Sequence, residues 1–341
     1  MPKVTIIIPS YNHAKFLEQR LDSILNQTYQ DFEIIFLDDA SSDNTKEVFS
    51  KYANHPKIKK AIFNSQNSGS PFKQWNRGVK EAKGEYIWIA ESDDCADEKF
   101  LETLVPLLED APKIGIAYCQ SLQINEEGKI TANYSDYTQK IANNRWNNDF
   151  TNSGINEVAN YLIIQNTIPN ASAVLMRKKA YIEAGMAPEN MRLSGDWYCY
   201  LKILKNYDIA FCHQSLNYYR YHSQMSRAYS EKDKRKRLIQ YIENYIILNF
   251  VSTNFKVLPE KQASVYLNLI RNWSSIVSLL DCLNWNFWKL MYYYLRDEPS
   301  QLKYGKLVLR NLIKNTQLDL KVMFKIDKKN IKSTQQKVNQ F

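Results

Sequence analysis

Residues 6–45 read IIIPSYNHAKFLEQRLDSILNQTYQDFEIIFLDDASSDNT, and the alternation inside this stretch decides the architecture. The apolar run from Val4 to Pro9, broken only by Thr5, reads as a buried first strand. Ala14 to Gln27 follows, with Phe16, Leu17, Leu21, Ile24 and Leu25 on one helical stripe. Glu33 to Leu37 is a second strand. It runs into Asp38-Asp39-Ala40-Ser41-Ser42-Asp43, where Ser and Asp supply turn chemistry and a helix N-cap. Short β-branched runs alternating with amphipathic helices predict crossover connections over a mostly parallel sheet, an α/β fold.

The same rhythm continues outward. Ile58 to Phe63 gives a third strand, Asn67-Ser68-Gly69-Ser70-Pro71 a loop, and Phe72 to Ala82 a helix closed near Gly84. Tyr86 to Ala90 is a fourth strand that leads directly into Glu91-Ser92-Asp93-Asp94. In open α/β sheets ligands collect beyond the carboxyl ends of the strands, and two acidic clusters lie there. A helix is expected over Asp97 to Leu108, a strand over Ile114 to Tyr118, and a long polar surface excursion from Asn125 to Asn156. Further strands are expected at Ala171 to Met176 and Ile209 to Tyr221, with a helix from Ser194 to Leu204 between them. From Glu231 onward the pattern is almost entirely helical, with Pro299 separating two stretches.

The chain has 341 residues, enough for two domains, and its 44% hydrophobic content with only 9 Gly and 10 Pro excludes disordered and collagen-like classes. Its five cysteines are scattered with no C-x-x-C pair, so packed thiols are expected rather than a disulfide framework or zinc ribbon. The N-terminal apolar run is too short for a membrane helix and unlike a signal peptide, so a cytoplasmic location is expected. Charge divides the chain. Residues 1–229 hold 25 Lys/Arg and 27 Asp/Glu, whereas residues 230–341 hold 20 and 9, a local net charge of +11. A near-neutral domain over 1–229 and a basic, mostly helical region over 230–341 are therefore expected. The basic residues are diluted among Leu, Ile and Tyr at helical spacing, without a nucleic-acid module pattern, so no nucleic acid is expected as partner.

Asp93 and Asp94, with Glu91 just before them, are three carboxylates in four positions at a strand end. Hard cations such as Mg²⁺ and Mn²⁺ take such oxygens and leave room for substrate phosphates, although an acidic helix cap has the same local appearance. The order of features decides between them: Pro-Ser-Tyr-Asn after strand one, Asp38-Asp39 after strand two, an Asn-x-Gly loop, the acidic cluster, and a later Ser194-Gly195-Asp196-Trp197. This order resembles the inverting family 2 glycosyltransferases, which have the GT-A fold and use nucleotide-activated sugars. The resemblance runs over roughly Lys3 to His222 through NSGSPFKQWNRGVKEAKGEYIWIAESDD and SGDWYCYLKIL as well as the opening stretch.

The resemblance implies a Rossmann-like central sheet flanked by helices, and a donor site in which Pro9 and Tyr11 line the base. Asp39 would accept from an imide N–H of uracil or thymine, Asn67 would lie in the nucleotide loop, and Asp93 would meet the ribose or the metal. Asp93, Asp94 and His222 would hold Mn²⁺ or Mg²⁺ against the diphosphate of a UDP- or dTDP-sugar. Asp196, at a helix start, would be the base that deprotonates the acceptor hydroxyl. Glu91 departs from the Asp usual at the first position of the cluster. Lys73, Trp75 and Arg77 flank the Asn-x-Gly loop and are read as ordinary helix residues. His13, His55 and His213 show no metal-ligand spacing.

The activity implied is metal-assisted sugar transfer to a saccharide or lipid-linked saccharide in building a cell-surface polysaccharide. Two alternatives stand beside it. A sugar nucleotidyltransferase shares the alternating architecture but wants a Gly-rich phosphate loop after strand one. A non-catalytic carbohydrate or nucleic-acid binding module would rely on the basic tail. That tail carries Trp273, Trp285, Trp288 and Tyr292-Tyr293-Tyr294 among its cations, a composition suited to peripheral contact with the inner face of a membrane. The same aromatics suit a bundle core or a homodimer interface.

Overall fold

The computed structural model describes residues 1–168, 170–222, 233–296 and 304–338, with side chains described through residue 321. The chain clusters into two compact units, Met1–Tyr229 with Val251–Val257, and Ser230–Phe250 with Leu258–Phe341. The expected break at Pro299 and the start of the helical region at Glu231 lie outside the described residues.

The first unit opens with β1 (Val4–Ser10), α1 (Ala14–Leu25), β2 (Phe32–Asp38), α2 (Thr45–Ser50), β3 (Ile58–Phe63), α3 (Pro71–Glu81) and β4 (Tyr86–Ile89). Every residue of β1, β2 and β4 is buried, as strands covered by helices on both faces require. α1 turns Phe16, Leu17, Leu21 and Ile24 inward at helical spacing. Next come β5 (Cys95–Ala96), α4 (Phe100–Glu109), β6 (Ile114–Ile124), β7 (Ile130–Asn133), α5 (Ser135–Gln139), β8 (Phe150–Asn152) and α6 (Gly154–Glu157). The unit continues through β9 (Val174–Arg177), α7 (Lys178–Glu183), α8 (Gly195–Leu204) and β10 (Asp208–Arg220).

The sheet order is β3-β2-β1-β4-β9-β6-β10-β5, with β7 on β6 and β8 on β10. Pairing is parallel through β3-β2-β1-β4 and again between β6 and β10, and antiparallel β9 joins these two halves. β1, β4 and β10 therefore point the same way, and their carboxyl ends share one edge.

Two local expectations are corrected. The segment 125–156 is not an irregular excursion, because buried Trp146 donates its indole N–H to Tyr118 Oη at 2.9 Å. Beside it Arg145 pairs at 2.6 Å with Glu157, whose side chain is fully buried. The strand expected from Ala171 begins only at Val174, since the Asn170 side chain caps a 3₁₀ turn over Ala171–Ala173 by accepting from the Ala173 N–H at 3.1 Å.

The second unit is built from α9 (Lys234–Asn254), whose last residues cluster with the first unit, α10 (Pro259–Ser274), a 3₁₀ turn at Leu279–Leu283, α11 (Trp285–Arg296) and α12 (Gly305–Val338). Buried Trp273 donates its indole N–H to Tyr245 Oη at 3.0 Å inside it. No helix among the described residues is long and apolar enough to cross a membrane.

Candidate active site

The loops after β1 and β2 are tied to each other. The Asn12 N–H donates to Ser41 Oγ at 2.9 Å, and the Ser42 N–H to Asn12 Oδ1 at 2.8 Å. Asn12 and Ala40 hold left-handed backbone with φ of 57° and 61°. For a residue with a Cβ such as Ala40 that conformation costs about 1 kcal/mol, and it persists where surrounding bonds over-determine it. Pro9 is buried within β1, and Tyr11, just past the strand, is 47% exposed and offers the open aromatic face.

Asp39 is buried where these loops meet. Its Oδ1 accepts from Asn64 Nδ2 and Gln74 Nε2, both at 2.7 Å, and from the Ser68 N–H at 2.9 Å. Its Oδ2 accepts from Ser68 Oγ at 2.8 Å. The carboxylate is thus fixed in orientation by α3 and the preceding loop, with Oδ2 the less occupied oxygen. Asn67 is exposed and braces the loop, donating to the Asp39 carbonyl at 3.1 Å and accepting from the Gly69 N–H at 2.8 Å. Lys73 donates to the Ser68 carbonyl at 3.0 Å and Arg77 to Asn64 Oδ1, so both cations stabilise this loop.

At the end of β4 the two adjacent aspartates diverge. Asp93, with its side chain 17% exposed, meets His222 Nε2 at 2.9 Å and lies 4.0 Å from His13 Nε2. One ligand-capable atom from each of His13, Asp93 and His222 lies within 4.8 Å of the other two. His13 is held there by Nδ1 against Ser92 Oγ at 2.9 Å. Burial raises the Asp93 carboxyl, but the His13 charge and the His222 hydrogen bond outweigh it and hold the group below its usual range.

Asp94 lies elsewhere. It is 2% exposed and its Oδ1 accepts the Arg220 backbone N–H at 2.9 Å. Burial, then the Asp93 charge, push its carboxyl up, opposed chiefly by Arg20, a fully buried guanidinium stacked 4.9 Å from the Trp88 ring. The two adjacent acids of the expected metal pair thus point apart. One peptide step turns the second side chain inward to a backbone donor, and among the described residues His13 lies beside Asp93 and His222.

Arg220, which the sequence reading passed over, closes the edge. Its fully buried guanidinium donates to the Asp93 carbonyl at 2.7 Å and the Asn125 carbonyl at 2.8 Å, and also to Gln19 Oε1. It thereby fixes the end of β10, two residues before His222, against the acidic segment. The only sequence signal for His13 is its place in the turn after β1; its partners are far away in the chain.

Asp196 stands half-buried in the first turn of α8, accepting from Asn166 Nδ2 at 3.2 Å. A relay of contacts links it to the acidic segment. Gly195 abuts the Phe72 ring, Phe72 meets Trp75 edge-on at 5.0 Å, and Trp75 donates its indole N–H to Glu91 Oε1 at 2.8 Å. Burial, then the Asp93 charge, push Glu91 up to about 8 despite that bond. A Cβ on Gly195 would sit 2.4 Å from the Phe72 ring. Gly195→Ala is expected to cost about 1–3 kcal/mol of stability, seen as a lower thermal midpoint, with Phe72→Leu in the same chain restoring part of it.

The chain is 31% identical over 140 residues to glycosyltransferase GlyG of Streptococcus pneumoniae, covering 41% of this chain and 42% of that protein. It is 31% identical over 112 residues to the poly(ribitol-phosphate) β-N-acetylglucosaminyltransferase TarS of Staphylococcus aureus, covering 32% of this chain and 19% of that one. The matched stretches span less than half the length of these curated relatives. The crystal structure of TarS 1–349 with UDP-GlcNAc has a similar fold, at TM-score 0.66 and 17% identity over 92% of this chain and 89% of that one. So has the mannosyltransferase PcManGT of Pyrobaculum calidifontis with GDP-Man and Mn²⁺, at TM-score 0.56 and 16% identity over 93% and 82% of the two chains. The family model described as glycosyl transferase family 2 matches residues 5–179, a range that takes in His13, Asp39 and Asp93 and stops short of Asp196 and His222. With that model matching just over half of its 341 residues, the chain belongs to glycosyl transferase family 2.

Proposed function

We propose that this protein is a metal-assisted, inverting glycosyltransferase that moves a sugar from a UDP- or dTDP-activated donor to a saccharide or lipid-linked saccharide, in cell-surface polysaccharide synthesis. The observation that carries the reading is the convergence of His13, Asp93 and His222 at the carboxyl ends of β1, β4 and β10, on the same sheet edge as the Asp39 loop. UDP-GlcNAc in TarS and the GDP-Man and Mn²⁺ in PcManGT support a nucleotide-sugar donor and a divalent ion. TarS, named for transfer to poly(ribitol-phosphate), supports a polymeric acceptor, and the saccharide class follows from the sequence resemblance alone.

The donor set fits such an ion. Two ring nitrogens and one carboxylate oxygen favour a first-row ion such as Mn²⁺ over Mg²⁺, which prefers oxygen ligands throughout. Asp93, His222 and His13 would hold the ion, whose contribution is to neutralise charge on the departing diphosphate. Tyr11 offers a face to the base, and Asp39 Oδ2 accepts its imide N–H. Asp196 takes the acceptor hydroxyl's proton as that oxygen bonds to the anomeric carbon and the bond to the nucleotide diphosphate breaks on the opposite face. The nucleotidyltransferase alternative lacks support, because the turn between β1 and α1 is Tyr11-Asn12-His13, without a glycine.

Free nucleotide release, followed across a panel of nucleotide sugars with Mn²⁺ or Mg²⁺, tests the reading. UDP- or dTDP-sugar turnover is expected, faster with Mn²⁺ and abolished by EDTA. Turnover indifferent to chelation would remove the metal from the proposal, and no turnover of any donor would remove the activity.

A further inference from the structure

α11 is apolar on two opposite sides. Phe287, Leu290 and Tyr294 are buried on one. Trp285, Trp288, Tyr292 and Leu295 recur at helical spacing on the other, 78%, 55%, 58% and 56% exposed. A helix lying on a bundle normally turns charged and polar residues outward, so a second apolar stripe calls for a partner. The Trp288 indole N–H donates to the Cys282 carbonyl at 2.7 Å, which satisfies its single polar atom and leaves the ring in solvent. Leu283, in the turn just before, is 95% exposed.

Cations lie on α12. The Leu279 N–H donates to Thr316 Oγ1 at 2.9 Å and so fixes α12 beside this turn. On α12, Lys306, Arg310 and Lys314 are exposed at four-residue spacing next to exposed Leu309 and Ile313. A cleft of about 700 Å³ opens at the same turn, lined by Leu280, Leu283 and Trp285 with Arg235 and Asp233, and by Lys234, which pairs with Asp281 at 2.7 Å.

We propose that this turn, the outward stripe of α11 and the cations of α12 form a docking surface for an anionic lipid bilayer. Trp and Tyr rings settle at the headgroup level, and Lys and Arg beside them gain from the negative surface potential. Charge selects this occupant over a second copy of the chain, since exposed Lys306, Arg310 and Lys314 would be repelled by their own counterparts. With no membrane-crossing helix among the described residues, the contact is superficial. The surface is independent of the reading of the nucleotide site.

Flotation of the full chain with phosphatidylcholine vesicles, and with mixed phosphatidylcholine–phosphatidylglycerol vesicles, tests the proposal. Binding is expected to the mixed vesicles only, and to weaken with salt. Trp285→Ala with Trp288→Ala should weaken it roughly tenfold, and Lys306→Glu with Arg310→Glu and Lys314→Glu roughly a hundredfold, at unchanged thermal midpoints. Equal binding by folded variants, or equal binding to both vesicle types, overturns the proposal. A dimer that the tryptophan changes dissociate, with no vesicle binding by the wild type, overturns it in favour of a second copy.

Discussion

Asp93→Ala is expected to abolish cation-dependent nucleotide binding and to lower kcat/KM by a factor on the order of 10³ or more, the several kcal/mol that a bound ion supplies to a departing oxyanion. Asp93 brings the one carboxylate to a cluster whose other members are two imidazoles. Titration calorimetry of Mn²⁺ with UDP, beside initial rates, reads both effects. Asp94→Asn is the contrasting variant. It keeps an oxygen for the Arg220 N–H and removes the negative charge that acts most strongly on buried Arg20. Because burial and the Asp93 charge already disfavour the ionised carboxyl, the expected result is a thermal midpoint within a few degrees of wild type with cation-dependent binding intact. Cation-dependent binding lost in both variants would reinstate the adjacent-acid arrangement.

Asp196→Asn is expected to reduce kcat by about 10²–10⁴, the usual contribution of a positioned general base, while nucleotide and cation affinity stay unchanged. The substitution preserves shape and leaves an oxygen facing Asn166 Nδ2, so a change in packing does not explain a lost rate. Single-turnover kinetics with saturating donor separate the two readouts. Retained turnover, or donor affinity falling in step with the rate, would move the base elsewhere in the site.

The first half of the sheet was legible because β1, β2 and β4 are short apolar runs buried along their whole length, and the turns after them contain the residues that define a ligand edge. What the sequence concealed is long-range or directional. His13 has no ligand at metal-motif spacing; its neighbours in space are Ser92, Asp93 and His222. Arg220 reads as one more charge in an extended run, and only the sheet reveals that it faces inward to three segments at once. Asp93 and Asp94 are indistinguishable by composition, and the Arg220 N–H decides which turns inward. The segment after Asn125 looked unstructured because its anchors, Trp146 and the Arg145–Glu157 pair, are few among many polar residues.

The Asp93–His222 contact joins residues 129 positions apart, and the His13–Ser92 contact joins residues 79 apart. On the proposed reading, a nascent chain lacks the third ligand of the cluster until His222 has been made, however well its first strands have paired. Competence on that reading arrives late and all at once, when the last imidazole is delivered, so a partly made polypeptide would neither hold the ion nor consume donor.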